Sequence, residues 1–204
     1  MINNIIFDLG GVLFDLNPKG YIEKFGYSDK TTDLLIQEVF FGKELMELTT
    51  KPKGTFKEVK EMIKERIPKY SKEIDELENG NWQSMLTIRK DEELFFKEIK
   101  AKGFNVYILS DLSKECYDYD IKLSDIFKIA DGATYSFEVG SNKPNINNFN
   151  TIINKYNLIP NETVFIDDNP NNIKTANEIG INGILFENLE QCKIELEKIV
   201  NSNK

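Results

Sequence analysis

Three runs of β-favouring apolar residues stop abruptly at carboxylates. Ile5-Ile6-Phe7 ends at Asp8 and a Leu9-Gly10-Gly11 turn, Val106-Tyr107-Ile108-Leu109 at Ser110-Asp111, and Thr163-Val164-Phe165-Ile166 at Asp167-Asp168. Short continuous apolar runs read as strands buried on both faces of a parallel sheet. In open α/β sheets ligands bind beyond the carboxyl ends of such strands. The pattern therefore predicts one site at one sheet edge, organised around Asp8.

Elsewhere the apolar spacing is helical. Asp33 to Gly42 places Leu34, Leu35, Val39 and Phe40 on one face and stops at a glycine, as helices often do. Thr55 and Glu58 have capping-box spacing ahead of Phe56, Val59, Met62 and Ile63, and that helix ends by Pro68. Charged Ser71 to Glu78 leads to a short segment with Trp82, Met85 and Leu86. No strand is expected from about Asn17 to about Lys90, so this interval reads as a helical insertion directly after the first strand.

Alternation then resumes. Asp91 is expected to cap a helix carrying Leu94 to Ile99 and closed at Gly103, before the strand Asn105 to Leu109. There follow a helix around Lys114 to Ile121, a short strand near Ile129 to Thr134, a loop reaching Lys143-Pro144, and an amphipathic helix Ile146 to Tyr156. After the strand Thr163 to Ile166, a helix Asn171 to Ile179, a strand Ile184 to Phe186 and a last helix from about Leu189 to Val200 complete the pattern. Repeated βα units imply an α/β fold with a doubly wound, Rossmann-like parallel sheet. The core is assigned to residues 1–16 and 91–204 and the inserted α-helical subdomain to residues 17–90.

Charge and composition narrow the chemistry. With 26 Lys+Arg against 34 Asp+Glu, the net charge of −8 argues against a nucleic-acid partner, which demands a basic face. A small ligand or a protein fits better. No stretch approaches the roughly 20 apolar residues of a spanning helix, and Asp8 interrupts the N-terminal apolar run too early for a signal peptide. Cys116 and Cys192 are far apart and fit no metal or redox spacing, so reduced thiols in a cytoplasm are expected. Assembly is expected to stop at a monomer or homodimer. Histidine is absent, which removes His-activated nucleophiles and His-ligated zinc.

Asp8, Asp167 and Asp168 would bring three carboxylates together, with Lys143 and Ser110 the groups left to balance them. Like charges so close do not all stay ionised without a cation. Oxygen donors with no His or Cys favour a hard ion, and Mg²⁺ suits carboxylates that leave room for water.

At this point the chain resembles the haloacid dehalogenase (HAD) superfamily, most of whose members are phosphatases. Four motifs carry the likeness, in order: Phe7-Asp8-Leu9-Gly10-Gly11-Val12-Leu13, Leu109-Ser110, Lys143-Pro144 and Phe165-Ile166-Asp167-Asp168-Asn169. The stretch Asn172 to Ile181 is similar to the segment that follows the last motif. The helical insertion resembles the family's α-helical cap, and the nearest branch is that of bacterial α-glucose-1-phosphate phosphatases. The resemblance implies that Asp8 is the nucleophile that forms an aspartyl-phosphate. It implies Mg²⁺ held by Asp8, the Gly10 carbonyl and Asp168, with Asp167 contacting it through water. It assigns Ser110 and Lys143 to the phosphoryl oxygens, with Asp111 and Gly11 beside them at the substrate. The implied activity is hydrolysis of a small phosphorylated metabolite, such as a sugar phosphate.

The chain departs from that pattern at Gly10, where the usual phosphatase of the family has a second aspartate as general acid and base. Proton transfer of that kind is worth roughly 10² to 10⁴ in rate. Asp111, where asparagine is common in the family, restores the count of carboxylates and is the candidate replacement acid, with Asp15 its rival. Two other readings stand beside the phosphatase. One is a metal-independent 2-haloacid dehalogenase, which also lacks the second aspartate but would leave Asp167-Asp168 without a cation. The other is a binding or regulatory protein that keeps the fold without turnover.

Overall fold

The computed structural model describes residues 1–202. Its main sheet has five parallel strands in the order β5-β4-β1-β6-β7: β1 (Asn4–Phe7), β4 (Asn105–Ser110), β5 (Gly132–Tyr135), β6 (Thr163–Asp167) and β7 (Asn182–Leu185). The central strand β1 is buried throughout, which explains why it shows no polar alternation. Alternate residues point into two separate cores. Ile5, Phe7, Val106, Ile108, Val164 and Ile166 face helix Lys90–Ala101 and the C-terminal helix Leu189–Ser202. Ile6, Tyr107, Leu109 and Phe165 face helices Ile146–Tyr156 and Pro170–Glu178. Helices on both faces make the sheet doubly wound, as expected.

Phe7 is level with Ile108 on one side and Ile166 on the other. The residues that follow these strands therefore emerge together at one edge.

The insertion differs from expectation at its two ends. Phe14–Leu16 (β2) and Leu86–Ile88 (β3) form an antiparallel two-stranded sheet, with Phe14 opposite Ile88 and Leu16 opposite Leu86. A strand thus lies inside the interval expected to hold none. Three residues are too few for alternation to stand out from chance, and the paired residues lie 70 to 74 positions apart. Between β2 and β3 the chain is helical, including Asp29–Leu35, Lys43–Leu48, Phe56–Arg66 and Ser71–Asn79. Its buried side chains Tyr21, Phe40, Phe56 and Trp82 pack edge-on or tilted against one another and belong to the same core as Phe7 and Phe96.

Smaller corrections follow from tertiary contacts. The helix expected from Asp33 begins at Asp29, capped by Ser28, and closes in a π turn over Ile36–Phe40. Thr55 makes no capping bond; Glu115 Oε2 of the core accepts the Phe56 N–H at 2.8 Å instead. Asp91 lies in the first turn of its helix, after Arg89 as N-cap. The strand placed near Ile129–Thr134 is Gly132–Tyr135, because Ile126–Ile129 form a helical turn. The last strand is Asn182–Leu185. Among the described residues no helix is long and apolar enough to cross a membrane.

Candidate active site

Asp8 follows β1 directly, Ser110 ends β4, and Asp167 ends β6 with Asp168 next to it. Sheet register alone brings them together. Lys143 arrives from the loop before helix Ile146–Tyr156, across a cis Lys143–Pro144 peptide bond. Its ammonium is buried and has three partners: Asp8 Oδ1 at 2.9 Å, Asp167 Oδ2 at 2.7 Å and the Leu109 carbonyl at 3.0 Å.

These contacts set the protonation states. Burial works against the charged form of Lys143, yet Asp8, Asp167 and Asp111 outweigh it and hold the ammonium above the ordinary lysine range. Burial pushes Asp8 up to about 7; Lys143 opposes that shift, and the charges of Asp167 and Asp111 add to it. Asp168, half-exposed in the open part of the site, is also raised, by burial and then by Asp167. One ammonium among Asp8, Asp167 and Asp168 leaves the cluster short of positive charge.

Asp167 is fully buried, and its oxygens accept from Asn172 Nδ2 at 3.0 Å, while Oδ1 also accepts the Asn169 N–H at 2.8 Å. By sequence, Asn172 opens the segment after the last motif and takes no role in the site. Its signal was present, since it is a polar residue on the inward face of a helix that starts at Pro170.

The same three carboxylates offer oxygens that all lie within 4.8 Å of one another. An all-oxygen set with a charge deficit fits a hard divalent ion such as Mg²⁺. The turn after β1 is shaped around this cluster. Gly11 has φ +75°, and a Cβ there would lie 2.0 Å from Asp168 Oδ2, so only glycine lets Asp168 come so close. Its backbone is engaged within the turn, the N–H donating to the Phe14 carbonyl and the carbonyl accepting from Arg89 Nη1 at 2.9 Å. The expected substrate contact at Gly11 therefore has no free backbone group behind it. Gly10, in contrast, has open space where a side chain would project.

Asp111 lies beside Ser110 with both carboxylate oxygens accepting the Lys143 backbone N–H, at 3.1 and 3.0 Å. Burial pushes it up to about 6. Asp15, the rival acid, is half-exposed on β2 and ion-paired at 2.6 Å with Arg89. Arg89 links β2, the end of β3 and the Gly11 loop. Sequence gave no hint of it, because its partners lie 74 and 78 positions away.

Comparison with known proteins agrees with this geometry. A D-ribitol-5-phosphate phosphatase of Bacteroides thetaiotaomicron is 27% identical, the match covering 99% of this chain and all of that one. A sesquiterpene phosphatase of Aspergillus oryzae is 24% identical over 96% of this chain and 95% of its own. A HAD family enzyme of B. thetaiotaomicron, solved as a magnesium complex, superposes with a TM-score of 0.69 at 26% identity, covering 90% of this chain and 92% of that one. The family model for haloacid dehalogenase-like hydrolases matches residues 2–180, a span that takes in all four motifs. With those motifs gathered at one sheet edge, the chain belongs to the haloacid dehalogenase-like hydrolases.

Proposed function

We propose that the protein is a Mg²⁺-dependent phosphomonoesterase that works through an aspartyl-phosphate on Asp8. The observation that carries this reading is the contact of Asp8 with a fully buried Lys143 at the centre of an all-oxygen carboxylate cluster. Two full-length relatives that are phosphatases support it. The dehalogenase reading would leave Asp168 crowded against Asp167 with no cation to offset the pair, since the carboxylates that the Lys143 ammonium contacts are Asp167 and Asp8.

Asp8, Asp168 and the Gly10 carbonyl are the groups proposed to hold Mg²⁺, which when bound supplies positive charge to the phosphoryl oxygens. Asp167 fixes Lys143 and reaches the ion only indirectly, since its oxygens are already committed. In the first step Asp8 Oδ attacks phosphorus, the ester P–O bond breaks, and the leaving alkoxide takes a proton. In the second, water attacks phosphorus of the acyl-phosphate and gives a proton back to the group that protonated the alkoxide, and the P–O bond to Asp8 breaks, releasing inorganic phosphate and restoring the carboxylate. Lys143 and Ser110 hold phosphoryl oxygens, and this fixed charge is what stabilises phosphoryl transfer. Asp111, whose carboxyl burial pushes up to about 6, is the proposed proton donor.

The helical insertion serves as the cap that covers the substrate. A sugar-like substrate is supported by the ribitol-5-phosphate phosphatase relative. Two free, buried cysteines fit a reducing cytoplasm.

The test is phosphate release from a panel of phosphate monoesters, with Mg²⁺ or with chelator. Turnover is expected with Mg²⁺ only, and Asp8→Asn is expected to lower it by on the order of 10⁴-fold or more. Metal-independent halide release from 2-haloacids would favour the dehalogenase instead. Mg²⁺ binding with no turnover would favour the silent module.

A further inference from the structure

Cap and core line a cavity of about 260 Å³ beside the catalytic turn, open to solvent past the exposed Leu16, Phe41 and Met46. Leu9, Gly10, Ser110 and Asp111 are among the residues that line it, which sets it next to Asp8 and makes it the space open to the group attached to phosphorus. Its walls are Phe14, Phe40, Leu45, Trp82, Met85 and Leu112. These side chains are buried members of the main core, and among them only the Trp82 indole carries an N–H donor.

Most polar groups in the wall are already engaged. Thr49 Oγ1 lies 2.6 Å from the Met46 carbonyl and 2.8 Å from Asn142 Oδ1. Ser113 Oγ accepts the Cys116 N–H, and both oxygens of Asp111 accept from Lys143. Asp120 is the exception: it is buried, and its Oδ1 has no partner. Burial pushes its carboxyl up to about 7, so near neutral pH it need not bring a full charge to the wall. A polyol entering this space would exchange its water for apolar contacts, hydroxyl by hydroxyl. A hydrocarbon group would gain about fourfold in binding for each methylene buried.

Size adds a second constraint. A dry cavity of roughly 150 Å³ accepts benzene, and in the same proportion 260 Å³ accepts about ten carbon atoms. Gly10 lines this volume, and nothing lies within 4 Å of where a Cβ on it would sit.

We propose that the leaving group is an apolar alcohol of about ten carbons, so that the substrates are phosphate monoesters of such alcohols. The proposal rests on the phosphomonoesterase reading above and names its substrate class. The cavity's own lining, which offers no set of free hydroxyl partners, outweighs a sugar phosphate here.

A homologous series tests it, because the reacting bond is unchanged from ethyl to decyl phosphate. With Mg²⁺, kcat/KM is expected to rise severalfold per added methylene and level off near ten carbons, exceeding that of ribitol 5-phosphate by 100-fold or more. A flat series, or ribitol 5-phosphate as the better substrate, overturns the apolar class while leaving the phosphatase reading intact. Phosphocholine turned over faster than butyl phosphate also overturns it, in favour of a cation facing Asp120. If no ester is hydrolysed the parent reading fails, and the cavity is then decided by binding. Trp82 is the chain's single tryptophan and stands in the wall, so 1-decanol should shift its emission saturably and ribitol should not. Absence of that shift overturns the proposal whatever the turnover.

Discussion

The proposed attack by Asp8 needs an ionised carboxylate, and burial pushes Asp8 towards protonation at about 7. Lys143 is the residue that opposes this, through a contact of 2.9 Å made possible because Asp167 and Asn172 fix the other end of the arrangement. Asp111 is the complementary case, a carboxyl raised to about 6 whose backbone neighbour starts the same phosphate-facing edge. If it supplies the proton, Asp111→Asn should slow turnover of alkyl phosphates by roughly 10²-fold or more and remove the limb of the pH–rate profile that falls with rising pH near 6. The open space at Gly10 makes a second arm available. Adding Gly10→Asp to Asp111→Asn should restore turnover of ethyl phosphate, whose small leaving group tolerates a narrower cavity. Rate constants for the two variants that differ from wild type by less than twofold would remove Asp111 from the mechanism.

At the scale of elements, the cap is tied to the core by few polar contacts. Glu115, in the core helix Lys114–Asp120, accepts from the first N–H of cap helix Phe56–Arg66. Ser136 Oγ donates to the Thr49 carbonyl at 2.6 Å, and Thr49 in turn meets Asn142, next to Lys143. A carboxylate at a helix N-terminus contributes about 1 kcal/mol. Glu115→Ala should therefore cost about that much stability, raise hydrogen exchange at the Phe56 amide, and raise KM severalfold by loosening the closed cap. Exchange at Phe56 unchanged from wild type would show the tie to be incidental. These contacts also show what was legible beforehand. The strands, their polar ends and the insertion could be read because each is encoded by neighbouring residues, Ile5 to Asp8 above all. The β2–β3 pair, the Arg89 bridge and the Glu115 cap could not, since each is made by residues distant in sequence and carries no local pattern. Thr55 had the spacing of a cap and lost the position to a core carboxylate.

For the whole molecule, raised carboxyls link stability to pH. Asp120, pushed up to about 7 by burial and with no counter-charge to offset it, binds its proton more tightly in the folded protein than in the unfolded chain. Its contribution is complete below about pH 4 and is lost as pH rises through 7. Asp8 and Asp111 follow the same sign, with their losses ending near 7 and 6. Asp120→Asn should leave stability near pH 4 almost unchanged and raise it at pH 8 by on the order of 4 kcal/mol, the size set by about three pKa units at 1.36 kcal/mol each. Mg²⁺ acts on a different part of the same account. On the proposed reading it binds the ionised form of Asp8, so at pH 5 it would have to displace a proton that is already gone at pH 8. At 100-fold excess over its dissociation constant it should stabilise by about 2.7 kcal/mol, and the increment at a fixed concentration should be larger at pH 8 than at pH 5. Because Asp120 lies in the cavity wall and outside the carboxylate cluster, the Asp120→Asn gain and the Mg²⁺ gain should add. Thermal denaturation of both proteins at pH 4, 5 and 8, with and without Mg²⁺, checks every term. A Mg²⁺ increment equal at pH 5 and pH 8 would place the ion away from Asp8.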